Sequence, residues 1–155
     1  MGRLNRRNPG GQKVFVGLID VVGPHDQDHG RAAGCGLNPD VREVVVVGSW
    51  ARGAARMDSD VDIVVLTDNP RHGEAGVWTG LLGGEVVRLA DWGPLREVRV
   101  RRPSGLEVEM GVVPVSWADT DPVDSGTRRV ISDGHRAVHD PAGVLARLSA
   151  ACEHQ

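Results

Sequence analysis

Along the chain, apolar and polar positions follow no regular pattern before residue 40 and a sharp one after it. Residues 1–12 (MGRLNRRNPGGQ) are polar, glycine-rich and basic, and are read as a disordered arm ahead of a single domain spanning 13–155. Val14 to Val22 is apolar enough for a short helix or strand, and Gly23 to Asn38 is loop-like by its Gly and Pro content. Valine-rich runs at Val41–Val47 and Val61–Leu66 predict two buried strands separated by a tight Gly/Ser/Arg segment. Glu85 to Leu89 predicts a third strand. Arg96 to Arg101 and Leu106 to Val113 alternate apolar with charged residues around Pro103-Ser104-Gly105, the pattern of a hairpin. Asp124 to Asp133 predicts a short helix stopped by Gly134. Asp140-Pro141 suits the N-cap and first position of a last helix, on which Val144, Leu145, Leu148, Ala151 and Cys152 share one face. Together these elements predict an α+β fold, a single mixed sheet with flanking helices.

Composition narrows what such a domain does. At 155 residues the chain has room for one core, and 21 Gly with 9 Pro stays below the share expected of a low-complexity chain. The formal net charge of -3, from 18 Lys+Arg against 21 Asp+Glu, makes long duplex nucleic acid an unlikely partner, because that binding rests on neutralising phosphates. Cys35 and Cys152, the 2 cysteines, lie far apart in no metal-ligand spacing, so two reduced thiols are expected. The apolar run Val44–Val47 is far short of the roughly 18 residues that suggest a membrane span, and the basic N-terminus lacks the apolar stretch of a signal peptide. A soluble, cytoplasmic protein without a membrane partner is expected.

The chemistry gathers between the first two strands, in VVVVGSWARGAARMDSDVDI (44–63). A buried strand that ends in Gly48-Ser49 at a helix start leaves backbone N–H groups and a hydroxyl free to meet an anion such as phosphate. Asp60 and Asp62, spaced by the two-residue period of a strand, share one face while Val61 and Ile63 point to the core. Carboxylates this close repel one another without a cation, and hard divalent ions accept several carboxylate oxygens. A metal and a triphosphate are thus expected together. In LEVEMGVV (106–113), Glu107 and Glu109 share a face opposite Leu106, Val108 and Met110, so either is placed to serve as a third acid.

GSWARGAARMDSDVDI (48–63) closely resembles the Gly-Ser, then Asp-x-Asp signature of the DNA polymerase beta-like nucleotidyltransferase superfamily, a likeness that covers residues 41–114. The resemblance implies the palm-like fold of that superfamily in a minimal, single-domain form. It implies transfer of a nucleoside monophosphate from a nucleoside triphosphate to an acceptor hydroxyl on a small molecule or a protein, with release of pyrophosphate. Carried over, Gly48 and Ser49 grip the β- and γ-phosphates, Asp60 and Asp62 hold two Mg²⁺ ions (Mn²⁺ being a substitute), and Glu109 completes the metal and catalytic set. The run EMGVVP (109–114) matches the superfamily's acid strand, whereas the Leu-Glu-Val context of aminoglycoside-modifying members points to Glu107 instead. Arg52 has two readings, stabilising triphosphate charge or pairing with a carboxylate beneath the loop.

Three other functions compete: an antitoxin-type minimal nucleotidyltransferase that acts on or binds a partner helical toxin, an inactive nucleotide-binding remnant, and a drug-modifying adenylyltransferase. Intact Asp60, Asp62 and Glu109 argue against the remnant. Elsewhere, His25 and His29 read as a solvated loop rather than a metal patch. Trp50 and Trp117 are candidates for stacking on a base or covering the pocket, whereas Trp78 and Trp92 read as packing. Arg128 and Arg129 are candidates for phosphate contact, although adjacent arginines on a helix point in different directions.

Overall fold

A computed structural model describes residues 40–54 and 59–154. The expectations for the arm 1–12, for 14–38 with His25, His29 and Cys35, and for the first residue of the domain fall outside the described residues. Among the described residues six strands form one sheet: β1 (Val41–Val47), β2 (Val61–Thr67), β3 (Glu85–Trp92), β4 (Leu95–Arg101), β5 (Glu107–Val113) and β6 (His135–His139). Among the described residues three α-helices accompany them, α1 (Ala75–Leu82), α2 (Ser125–Ser132) and α3 (Val144–His154). The strand order is β3-β4-β5-β2-β1-β6, with β2 and β5 parallel and every other neighbour antiparallel. This is the mixed sheet of the expected α+β fold.

Both faces of the central strands are buried, which is why β1 and β2 read as nearly continuous valine rather than as an alternation. On one face Trp78 and Leu82 of α1 lie over a cluster with Val44, Val46, Ile63, Val65, Val98 and Met110. The Trp78 indole N–H is satisfied there by donating to the His72 carbonyl at 2.7 Å. On the other face Ile131 of α2 and Leu145 and Leu148 of α3 pack with Val45, Val47, Val64, Leu66 and Val113. Among the described residues, that second cluster covers the half of its face over β1, β2 and the end of β5, while Trp92 of β3 and Arg101 of β4 are exposed on the other half.

The structure corrects several expectations. Helix α1 carries no sequence signal, because AGVWTGLL includes two glycines and its helicity depends on Trp78 and Leu82 docking on the sheet. Strand β6 (HRAVH) is a polar edge strand without apolar alternation. The third strand runs on to Trp92. Helix α2 matches its expectation, with the Asp124 carboxylate accepting from the Gly126 and Thr127 N–H groups. Helix α3 begins at Val144 and not beside Asp140, since Gly143 adopts φ 71° and breaks the helical run. Asp140 still caps it, accepting from the N–H groups of Leu145 and Ala146 at 3.1 Å each.

Candidate active site

Sheet register assembles the acids. Strand β2 places Asp62 opposite Val47 of β1 on one side and opposite Glu109 of β5 on the other, and Asp60 lies one residue before β2. The hairpin of β4 and β5 continues the row, putting Arg99 opposite Glu109 and Arg101 opposite Glu107. Side chains in register on one face of a sheet stand close enough to interact. Accordingly, Asp62 and Glu109 come within hydrogen-bonding reach of each other, as do Glu97 and Glu109. Arg99 spans the group: Nη1 lies 2.9 Å from Asp60 Oδ2, and Nη2 lies 2.8 Å from Glu109 Oε2.

Burial with too few positive charges decides the protonation states. Glu109 is pushed up to about 8, first by burial and then by the carboxylates of Glu97 and Asp62 on which its proton is directed. Asp62 is also raised by burial, although the bond from Glu109 opposes the shift. Burial pulls the Arg99 guanidinium down, but Glu109 and Asp60 outweigh it and its pKa is raised. Near neutral pH, then, Glu109 holds a proton where charge balance calls for a cation.

That donor set fits a hard divalent ion, because oxygen-only ligands held together by a proton are those a cation stabilises by replacing it. Among the described residues, however, no three acidic, His or Cys side chains converge as a finished cage. Asp62 and Glu109 meet, while Asp60 turns toward Arg99.

The loop after β1 closes the other side. Gly48 has φ 73°, and a Cβ there would sit 2.9 Å from Asp62 Oδ2, so only glycine lets the backbone approach the carboxylate this closely. Residues 48–53 form turns and not the expected helix start. The Arg52 N–H reaches the Gly48 carbonyl at 3.1 Å and the Ala54 N–H reaches the Ser49 carbonyl at 2.9 Å. The Gly48 N–H, expected to face phosphate, donates instead to the Gly134 carbonyl at 3.3 Å. Among the described residues, the Ser49, Trp50 and Ala51 N–H groups have no backbone acceptor. Beside this loop a cavity of about 240 Å³ is lined by Gly48, Asp62, Glu109, Gly111, Val130 and Asp133, so α2 supplies its wall.

The nucleotidyltransferase domain family matches residues 33–110, half of the chain, and that span takes in Gly48-Ser49, Asp60, Asp62 and Glu109. The chain belongs to this family. General nucleotidyl transfer is the chemistry of such a domain. No curated protein matches the chain.

Within this nucleotidyltransferase domain, other candidates fall differently from expectation. Among the described residues Arg52 has no carboxylate partner; its guanidinium donates to the Asp133 carbonyl at 2.9 Å, tying the loop to the end of α2. Trp117 is buried in the core, and Trp50 packs against the first cluster with its N–H on the Ser59 carbonyl at 3.4 Å. Trp92 is the exposed one, at 57%, with Arg88 over its ring. Arg128 donates to the Cys152 carbonyl at 3.1 Å and Arg129 is exposed. Glu107 is engaged by Arg99 and Arg101 at 3.5 and 3.4 Å. Arg99 and Glu97 were not singled out from the sequence, yet the hairpin register could have found Arg99: a turn at 103–105 places 99 opposite 109. A larger cleft, about 590 Å³, lies at the opposite ends of β2 and β5 beside Asp68 and Arg96, and holds none of the expected site residues.

Proposed function

We propose that the chain transfers a nucleoside monophosphate from a nucleoside triphosphate to an acceptor hydroxyl. The observation that carries this reading is the row of Asp62 and Glu109 in register on parallel strands, with Asp60 beside them and the Gly48 backbone against Asp62. Asp60, Asp62 and Glu109 would hold Mg²⁺ or Mn²⁺, with Glu109 and not Glu107 as third acid because it is the glutamate that touches Asp62. Bound there, divalent ions supply charge neutralisation for the triphosphate and a more acidic acceptor hydroxyl.

The chain's own groups do the positioning. The N–H groups of Ser49, Trp50 and Ala51, which have no backbone acceptor among the described residues, would form a cradle for the outer phosphates, joined by the Ser49 hydroxyl. Arg52 holds that cradle against α2. With the phosphates fixed, the acceptor oxygen bonds to the α-phosphorus, its proton is lost to water, the bond to the β-phosphate's bridging oxygen breaks, and pyrophosphate leaves. Among the described residues, the exposed sheet surface around Trp92 and Arg101 is where an acceptor would have room.

The test is to incubate the protein and its Asp62→Asn variant with each α-labelled nucleoside triphosphate, Mg²⁺ and either a small-molecule extract or a cell lysate. Label transferred by the wild type and not by the variant supports the reading, and whether it sits on protein or on a small molecule identifies the acceptor class. Equal labelling by both proteins, or none by either across all four nucleotides, overturns it.

A further inference from the structure

Arg99 is surrounded by more carboxylates than it can satisfy. Its Nη1 lies 2.9 Å from Asp60 and 3.5 Å from Glu107, and its Nη2 lies 2.8 Å from Glu109 and 3.8 Å from Glu97. Each terminal nitrogen therefore has a near acid belonging to the proposed metal site and a farther acid outside it. The buried Nε has no acceptor among the described residues, so the guanidinium is not locked by its full set of five donors. The farther partners are anchored independently: Glu97 is held by Arg88 at 3.1 Å and Glu107 by Arg101 at 3.4 Å.

We infer that Arg99 is a displaceable counter-cation, a positioning residue that bridges Asp60 and Glu109 in the metal-free protein and passes to Glu107 and Glu97 when a divalent ion takes its place. This rests on the metal site proposed above. A guanidinium and a divalent ion cannot both sit among the same oxygens, since like charges a few Å apart repel strongly where water is scarce. The second pair of acids lowers the cost of that exchange, because Arg99 moves to other carboxylates and not into an unpaired, half-buried state. It also gives Glu107 a role distinct from that of Glu109, as the seat to which Arg99 withdraws.

The experiment is a calorimetric Mn²⁺ titration of the full chain and of Arg99→Gln, Arg99→Lys, Glu107→Gln, the double variant Arg99→Gln/Glu107→Gln, and Asp62→Asn, each checked for folding by circular dichroism. Removing the competing charge should tighten Mn²⁺ binding by about tenfold or more in Arg99→Gln. Arg99→Lys should fall between, since one ammonium cannot span both acids. Glu107→Gln alone should weaken binding, and the double variant should bind as Arg99→Gln does, because Glu107 acts only through Arg99. In the wild type, the Arg99 Nε–H resonance should move on addition of Mg²⁺. If Arg99→Gln does not fold, Arg99→Lys and this resonance decide the matter. Unchanged or weaker binding in the Arg99 variants, or a still resonance at saturating Mg²⁺, overturns the inference. If Asp62→Asn binds Mn²⁺ as the wild type does, the metal site itself is refuted. If Asp62→Asn loses binding while the Arg99 variants gain none, only the counter-cation role falls.

Discussion

The two halves of a single sheet face are built on opposite principles. Over β1, β2 and the end of β5 the face is apolar and roofed by α2 and α3, with Val45, Val64, Leu66, Val113, Leu145 and Leu148 in one cluster. Over β3, β4 and the start of β5 the same face is charged, and among the described residues Trp92 and Arg101 are exposed there, Arg99, Glu107 and Glu109 partly exposed and Glu97 buried. The acids stand at the seam, where Asp62 on roofed β2 meets Glu109 on open β5. Burial from one side raises the cost of their charge, and the open side keeps them reachable. A site wholly within either half would lack one of these conditions.

Asp62→Asn attacks the seam and should have the largest effect on function. Transfer should fall by roughly 100-fold or more, beyond what loss of a supporting partner of a metal ligand costs. The metal-free thermal midpoint should hold or rise, because the substitution removes a carboxylate whose charged form burial disfavours. A midpoint that falls steeply would mean that Asp62 belongs to the structural half after all.

Leu148→Ala attacks the roof. This fully buried side chain joins α3 to the sheet, and its truncation should cost about 2–5 kcal/mol of stability in chemical denaturation. Transfer per folded molecule should change little, which would separate the roofed half from the chemistry.

The seam should also be visible in the pH dependence of stability. Glu109 has its pKa raised from 4.5 to about 8 by folding, so the folded chain binds more protons than the unfolded one between those values. Its stabilising contribution is full below pH 4.5 and is lost as pH rises toward about 8. In metal-free buffer the denaturation midpoint should decline over that window, and Glu109→Gln should flatten the decline. Glu43, buried at the far end of β1 and likewise raised by burial, contributes with the same sign, so Glu43→Gln measures the share that does not come from the seam.

The smallest effect is expected from Asp124→Ala, which removes the cap of α2 and should cost roughly 1 kcal/mol in denaturation. Because α2 supplies the cavity wall through Val130 and Asp133, nucleotide affinity should weaken slightly in parallel. A loss of stability with unaltered affinity would show that the cavity does not depend on where this helix begins.

Much of this is legible in the sequence alone. The valine runs of β1 and β2, the hairpin about Pro103-Ser104-Gly105 and the spacing of Asp60 and Asp62 follow from periodicity, which sterics impose on the backbone whatever the rest of the molecule does. Helix α1 and strand β6 were not legible, since one is helical through docking and the other is a polar edge. The tryptophans exchanged places for a related reason. Trp117 and Trp92 are equally apolar, and only the position of the helices decides that one is roofed and the other bare.

What the sequence determined by itself was therefore local: which segments form central strands, which residues alternate onto one face, and that Gly48-Ser49 and the two aspartates lie at strand ends. Tertiary structure alone decided which acid meets which, because β2 and β5 are distant in sequence and their register depends on the whole sheet. It put Glu109 and not Glu107 against Asp62, and drew Arg99 from the neighbouring strand in among the acids. It also turned the Gly48 N–H toward Gly134. Pairwise distances between remote segments, and the desolvation that raises Glu109, are properties of packing, and no run of residues encodes them locally.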